Sequence, residues 1–478
     1  MRLAATAGIA LACAAALRAA AQPSDPFAGV ASAIHAEMAQ AGIPGAAVAV
    51  VAGNQVVWTA GFGVANTETE APVTPDTLFQ IGSVTKTLTA AAILVAAAEG
   101  VVALDQPVAT YVTGLTPCVG TPTLAQLLSH TGGLIDEPDE FGPQGEDGLG
   151  AYQRTWTGEY CFLPPGRAFS YSNSGFALAG LALQEADGTP FAEVMKARVL
   201  GPLGMTRTTF RPTEAMTRPL AVGHKKMADG TFEVVRPLAN DARLWPAGTL
   251  YSSANEMARL VVALGNDGIV EGRQALPPGV GARMRRGQAD VPTNGEAYGQ
   301  GLFLRPAQGR YGHGGTMTGY AAQLTVRGQV GLVALTNADA VDVDGLVGRL
   351  WPEVLDAEPV ARHLAALRRA AADSGPPSPP LVEGTPALRA GPLTSEEAAR
   401  YLGRFANPRR FTVEVVARGP ALILKRFGRD FPMRALATPG RFLVDLPRGG
   451  TETIVFGLGP DGRADYLQMN VWALARLP

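Results

Sequence analysis

Ser83-Val84-Thr85-Lys86 places a hydroxyl and an amine three residues apart. If a helix begins at Gly82 or Ser83, both side chains lie on one face, a single turn apart. The run that follows, Leu88 to Ala98, is apolar nearly all round, so this helix is expected to be buried. A hydroxyl beside an amine at the start of a buried helix has the makings of a nucleophile and its base. The plain alternative is a serine N-cap with a lysine one turn in. The chain has only five lysines (Lys86, Lys196, Lys225, Lys226 and Lys425) in a combined Lys and Arg count of 40. Ordinary positive charge here is carried by arginine, which makes a lysine in the most apolar helix unlike the rest. Two further stretches could join this pair: Tyr171-Ser172-Asn173, after Pro164-Pro165-Gly166, and Tyr311-Gly312-His313-Gly314-Gly315-Thr316, entering a strand. Each has an ordinary explanation alone: a packing tyrosine, a helix-capping asparagine, a turn histidine.

The elements that must position these residues can be read from periodicity. Residues 26–43 carry Phe27, Val30, Ile34, Met38 and Ile43 at helical spacing, ended by Pro44-Gly45. Ala46–Ala52 and Gln55–Val64, separated by Gly53-Asn54, predict a β-hairpin. Residues 104–186 read as mainly helical with long loops, including helices at Leu124–Leu128 and Gly175–Ala186 and an acidic, Gly-rich loop over 135–150. Ser253 is placed to cap a helix over Ala254–Leu264. Gly301–Leu304, Tyr320–Val326 and Val330–Thr336 read as strands, and 343–371 as helical. Strands at both ends with helices between predict an α+β fold of three layers. Its antiparallel sheet is built from N- and C-terminal strands, flanked by helices and interrupted by a mainly helical insertion.

Residues 1–21 have the form of a secretory signal peptide: Arg2, an apolar core from Leu3 to Leu17, and Ala19-Ala20-Ala21 before Gln22. An exported protein, periplasmic or secreted, is expected, without stable membrane insertion after cleavage. Residues 22–372 form the expected catalytic domain, and the Pro-, Gly- and Ser-rich stretch 373–394 a linker. Residues 395–478 form a small β domain, with strand candidates at 411–416, 421–425, 433–435, 442–445, 452–456 and 466–470, packed as an antiparallel barrel or sandwich. It carries no evident catalytic constellation. Removing the leader takes Cys13 and leaves Cys118 and Cys161, an even pair that can form one disulfide in an oxidising compartment. No metal-ligand spacing links the cysteines or the five histidines, so no metal and no cofactor is expected. A net charge of −2 gives no footprint for nucleic acid. Oligomeric state is open.

Taken together and in order, the three stretches resemble the motifs of the serine β-lactamase and penicillin-binding-protein superfamily, in particular its class C-like branch. That branch also holds carboxylesterases and D-amino-acid peptidases. The resemblance spans roughly residues 30–355 and includes Leu127-Leu128-Ser129-His130-Thr131-Gly132-Gly133-Leu134 and Pro202-Leu203-Gly204-Met205. It implies Ser83 as acylated nucleophile, Lys86 as its proton acceptor and Tyr171 as a partner in acid–base transfer. It implies Asn173 as a group orienting Lys86 and the substrate. Gly315 and Thr316 would bring a strand edge, and the Thr316 N–H, to the substrate carbonyl.

The sequence departs from that pattern at the third motif. Where β-lactamases commonly have lysine followed by a hydroxyl residue, this chain has His313 and Gly314. An ordinary histidine pKa of ~6.5 leaves no fixed positive charge for a substrate carboxylate at pH 7, so binding is expected to change through roughly pH 6–7 if His313 touches substrate. This favours an exported serine hydrolase acting on a small-molecule or peptide substrate, ester or amide, including one with D-amino acids. The alternatives are a β-lactamase or D-Ala-D-Ala carboxypeptidase-type penicillin-binding protein, and a non-catalytic cell-wall sensor or binding module.

Overall fold

The computed structural model describes residues 25–137, 140–291, 295–339, 341–372, 387–447 and 449–478. The expected signal peptide, and residues 373–386 of the expected linker, lie outside the described residues.

Helix α1 (Ala28–Ala41) ends on Gly42 in the left-handed conformation and leads into the hairpin β1 (Gly45–Ala52) and β2 (Gln55–Asn66), with β3 (Ala71–Pro72) beside it. Helix α2 (Thr85–Ala98), which carries Lys86, follows, then α3 (Leu124–Leu128), α4 (Asn173–Asp187) and α5 (Ala254–Gly265). The chain returns to the sheet through β4 (Ala289–Val291), β5 (Glu296–Tyr298), β6 (Phe303–Arg305), β7 (Arg310–Met317), β8 (Tyr320–Arg327) and β9 (Val330–Thr336). Sheet order is β4-β5-β6-β7-β8-β9-β1-β2-β3, with β9 antiparallel to β1 in the register Ala46↔Thr336 to Ala52↔Val330. N- and C-terminal strands thus share one antiparallel sheet, with the helices inserted between them.

β1 is apolar at every position because both faces of the sheet are covered. Ala46, Val48 and Val50 pack with Phe27, Val30 and Ile34 of α1, and with Leu346 and Leu350 of α6 (Val343–Asp356). Ala47, Ala49 and Val51 belong to the larger core that contains α2, α4 and α5. Helix α7 (Glu358–Ala372) completes this part of the chain. Cys118 and Cys161 are joined by a disulfide that ties the insertion together.

The C-terminal part is a closed eight-stranded barrel: β10 (Gly403–Asn407), β11 (Phe411–Arg418), β12 (Ala421–Arg426), β13 (Arg429–Ala435), β14 (Arg441–Asp445), β15 (Thr451–Leu458), β16 (Ala464–Met469) and β17 (Trp472–Arg476). Pairing of Phe405 with Arg476 closes it, which decides for a barrel over a sandwich. The sequence pattern missed both closing strands. β10 holds a single large apolar residue, Phe405, and β17 lies within a short Trp-Ala-Leu-Ala run without clear alternation. Phe405, Leu422, Phe442, Ile454 and Leu474 fill the barrel interior, which is a packed core.

Candidate active site

Ser83 lies in a 3₁₀ turn (Gly82–Val84) that runs directly into α2, and Lys86 sits in the first turn of that helix. Gly82 has φ 51°, a conformation that suits glycine, and a Cβ there would meet the Thr316 amide nitrogen at 2.6 Å. A Cβ on Gly315 would lie 2.0 Å from the Ile81 carbonyl and 2.9 Å from the Ser83 nitrogen. Glycine at both positions lets the Ser83 turn press backbone to backbone against β7. That contact brings Ser83 and Thr316 to the same cleft, which is also lined by Asn173, Ala247, Gly248 and Met317.

Lys86 is fully buried. Its Nζ is 2.8 Å from Ser83 Oγ, 2.7 Å from Asn173 Oδ1 and 2.5 Å from the Ala247 carbonyl. Two of these partners can only accept. In its neutral form the amine therefore donates to Asn173 and Ala247 and turns its lone pair toward the Ser83 hydroxyl. Burial pushes the Lys86 pKa down to about 7, against the opposing pull of Asp136. No carboxylate makes an ion pair with it among the described residues.

Tyr171 hydrogen-bonds Ser83 through its hydroxyl, and its ring centroid is 5.0 Å from Lys86 Nζ. Burial raises its pKa far above the ordinary range, the Ser83 bond opposing this, so Tyr171 is a neutral phenol. The His130 ring packs on it at 4.1 Å. His130 Nδ1 accepts the Ser172 N–H at 3.0 Å, and burial holds the ring neutral. Ser172 caps α4 by accepting the Gly175 N–H. Asn173 therefore begins α4, with its N–H donated to Asp136 Oδ1 at 2.9 Å.

His313 departs from the expected contact with substrate. It is buried behind the cleft wall, its Nε2 3.0 Å from the Tyr298 hydroxyl and its Nδ1 2.6 Å from the Gly314 carbonyl. Burial, then the Lys86 charge, push its pKa down to about 3. The ring is thus neutral across the physiological range, and the expected titration at pH 6–7 is not its own. Thr316 is exposed and lines the cleft.

Several residues around the site were not singled out from sequence. Asp136 and Glu137 are buried beside Asn173 and paired with Arg410 and Arg409 of the barrel. Glu137 also accepts from the Tyr160 hydroxyl at 3.0 Å. Glu140 accepts the Thr318 N–H and hydroxyl, each at 2.7 Å, and lines the cleft with Glu137. The start of the acidic loop therefore lies over the site. A signal for Asp136 existed, since it follows the Ser129–Leu134 motif by two residues. None existed for Arg409 and Arg410, more than 270 positions away.

The family model Beta-lactamase matches residues 30–351. Penicillin-binding protein 4 of Amycolatopsis lactamdurans is 28% identical over 312 residues, 62% of this chain and 81% of that protein. Protein flp of Staphylococcus aureus is 24% identical over 339 residues, 68% of this chain; the match spans only 65% of that relative's length. Among solved structures, SurE aligns with a TM-score of 0.72 and 26% identity over 95% of this chain and 99% of its own. The D-alanine carboxypeptidase AmpC of Burkholderia cenocepacia has a TM-score of 0.57 at 24% identity, over 70% of this chain and 99% of its own, a likeness of fold. At 95% of this chain, the SurE alignment takes in more than the residues that the family model covers. By its sequence over residues 30–351 and by its fold, the chain belongs to the Beta-lactamase family.

Proposed function

We propose that the protein is an exported serine hydrolase that forms an acyl-enzyme on Ser83 from an ester or a peptide-type amide, including substrates that contain D-amino acids. The observation that carries this is the 2.8 Å contact between Ser83 Oγ and a buried Lys86 amine whose remaining partners are two oxygen acceptors. Ser83 Oγ attacks the substrate carbonyl as its proton passes to Lys86 Nζ. The Ser83 and Thr316 N–H groups receive the oxyanion, each worth on the order of 3–4 kcal/mol in such sites. Collapse expels the leaving group, which takes the proton back from Lys86 through the Tyr171 hydroxyl. A water then attacks the ester, delivers its proton by the same route and frees Ser83.

A D-configured substrate is supported by a structure of SurE with D-Leu, which aligns at 26% identity and a TM-score of 0.69. Export is supported by the leader-like residues 1–21 and by the Cys118–Cys161 disulfide. Efficient β-lactam turnover is disfavoured because the third motif offers the cleft a buried neutral His313 where a substrate carboxylate needs a cation, while Glu137 and Glu140 line the cleft. The test is a substrate panel: p-nitrophenyl esters and p-nitroanilides of D- and L-leucine or alanine, with nitrocefin. D-configured substrates are expected to exceed their L counterparts by about 10-fold or more in kcat/KM, with nitrocefin the poorest. Nitrocefin turnover above that of every ester and anilide would assign the protein as a β-lactamase instead.

A further inference from the structure

The barrel docks on the strand of chain that delivers Tyr171. The Tyr171 N–H donates to the Val471 carbonyl at 2.8 Å, the Ala473 N–H to Ser170 Oγ at 3.2 Å, and Gln468 Nε2 to the Phe169 carbonyl at 2.8 Å. Arg167 Nε donates to Asp465 Oδ2 at 3.0 Å. Alongside this seam, Arg410 stacks over Trp472 at 5.0 Å and ion-pairs with Asp136, whose side chain is 1% exposed. Asp136 in turn accepts the Asn173 N–H, and Asn173 Oδ1 accepts from Lys86. A continuous chain of contacts thus runs Arg410–Asp136–Asn173–Lys86–Ser83, crossing from barrel to catalytic domain at its first link.

Resting on the acyl-enzyme reading above, we propose that Arg410 is a positioning residue of the site. It neutralises Asp136, so that this carboxylate anchors Asn173 and does not become the counter-ion of Lys86. A buried carboxylate left unpaired would recruit the nearest cation, and the amine would then be held protonated, with no lone pair for Ser83. The groups that face Lys86 are Tyr171 and Asn173 from α4 and its approach, His130 and Asp136 from the loop after α3, and His313 from β7; Glu137 stands beside Asn173, and Tyr298 from β5 beside His313. Arg409 and Arg410 from the barrel stand behind the two acids. Of these, the two histidines are held neutral and the two tyrosines are kept as phenols by burial. Asp136 is the negative charge that acts on Lys86, and Arg410 is its direct partner.

The experiment measures the second-order rate of labelling by a fluorophosphonate probe from pH 5 to 10 on the full-length mature protein. Arg410→Met is expected to move the acidic limb upward by about one pH unit. At pH 7 the rate should fall about 10-fold, with recovery to near the wild-type plateau at high pH. Asp136→Asn is expected to move the limb downward. The double variant Asp136→Asn/Arg410→Met, which buries no unpaired charge, should follow Asp136→Asn. Arg410→Lys should restore the wild-type profile. An unmoved limb in Arg410→Met, or a uniform loss at every pH, would overturn the proposal as a purely structural contact. If Arg410→Met fails to fold, Arg410→Gln reads the same limb, and an unmoved limb there overturns the proposal equally. Equal labelling of Ser83→Ala and wild type would instead defeat the acyl-enzyme reading itself, so the two failures are distinct.

Discussion

Replacing Lys86 with methionine is expected to slow acylation by roughly 10²–10⁴-fold, the range for loss of a positioned base, while leaving the fold at least as stable as before. The two effects have one origin. The amine is enclosed completely and its pKa is pushed from the ordinary 10.5 to about 7. A group whose folded pKa lies below its unfolded value costs stability wherever the unfolded chain would hold the proton. That cost is full below about pH 7 and fades as pH rises toward 10.5. A methionine of similar length does not incur it, a gain of roughly 2–5 kcal/mol before three lost hydrogen bonds are set against it. Urea unfolding of wild type and Lys86→Met should therefore show the variant's relative advantage largest near pH 6 and shrinking by pH 10. The wild-type activity limb should fall near pH 7. His313→Gln should leave that limb in place, because burial already keeps His313 uncharged there.

Gly315→Ala is expected to lower kcat/KM by about 10²–10³-fold, comparable to removing an oxyanion donor. The added carbon would sit 2.0 Å from the Ile81 carbonyl and 2.9 Å from the Ser83 nitrogen, and both are backbone, so no side chain can swing aside. β7 and the Ser83 turn must part, carrying the Ser83 and Thr316 amides away from a common point. The loss should appear in kcat with KM little changed, since the interaction matters most in the transition state. A Gly348→Ala variant, on the exposed side of α6 where the backbone is helical and nothing lies within 4 Å of the new carbon, controls for general effects on the chain. A Gly315→Ala enzyme with unaltered kcat would show that the close contact does not shape the oxyanion site.

The parts of this site that were legible in the sequence are those whose local chain chemistry is distinctive. A serine and lysine one turn apart at the head of an all-apolar helix, and glycines flanking a strand entry, report on backbone approach and burial over a few residues. The sheet was legible for the same reason, because β1, β8 and β9 are short apolar runs bounded by turns. His313 was misjudged because its ordinary pKa was assumed. Only three-dimensional packing against Tyr298 and Phe303 reveals how fully it is enclosed. The barrel was read as an appendage without a catalytic constellation, and within its own sequence that is so. Its contribution arises from Arg409 and Arg410 meeting Asp136 and Glu137 across the fold. No local pattern encodes a pairing at that separation, particularly in a chain where arginine is the default cation.

The central claim is that Ser83 carries the acyl group. The most direct measurement is peptide mapping by mass spectrometry after rapid acid quench of the enzyme with a p-nitrophenyl ester of a D-amino acid. The expected result is an acyl mass increment on the peptide containing Ser83, absent in Ser83→Ala and chased off by time in wild type. An increment on any other residue, or the same increment in Ser83→Ala, would contradict the account.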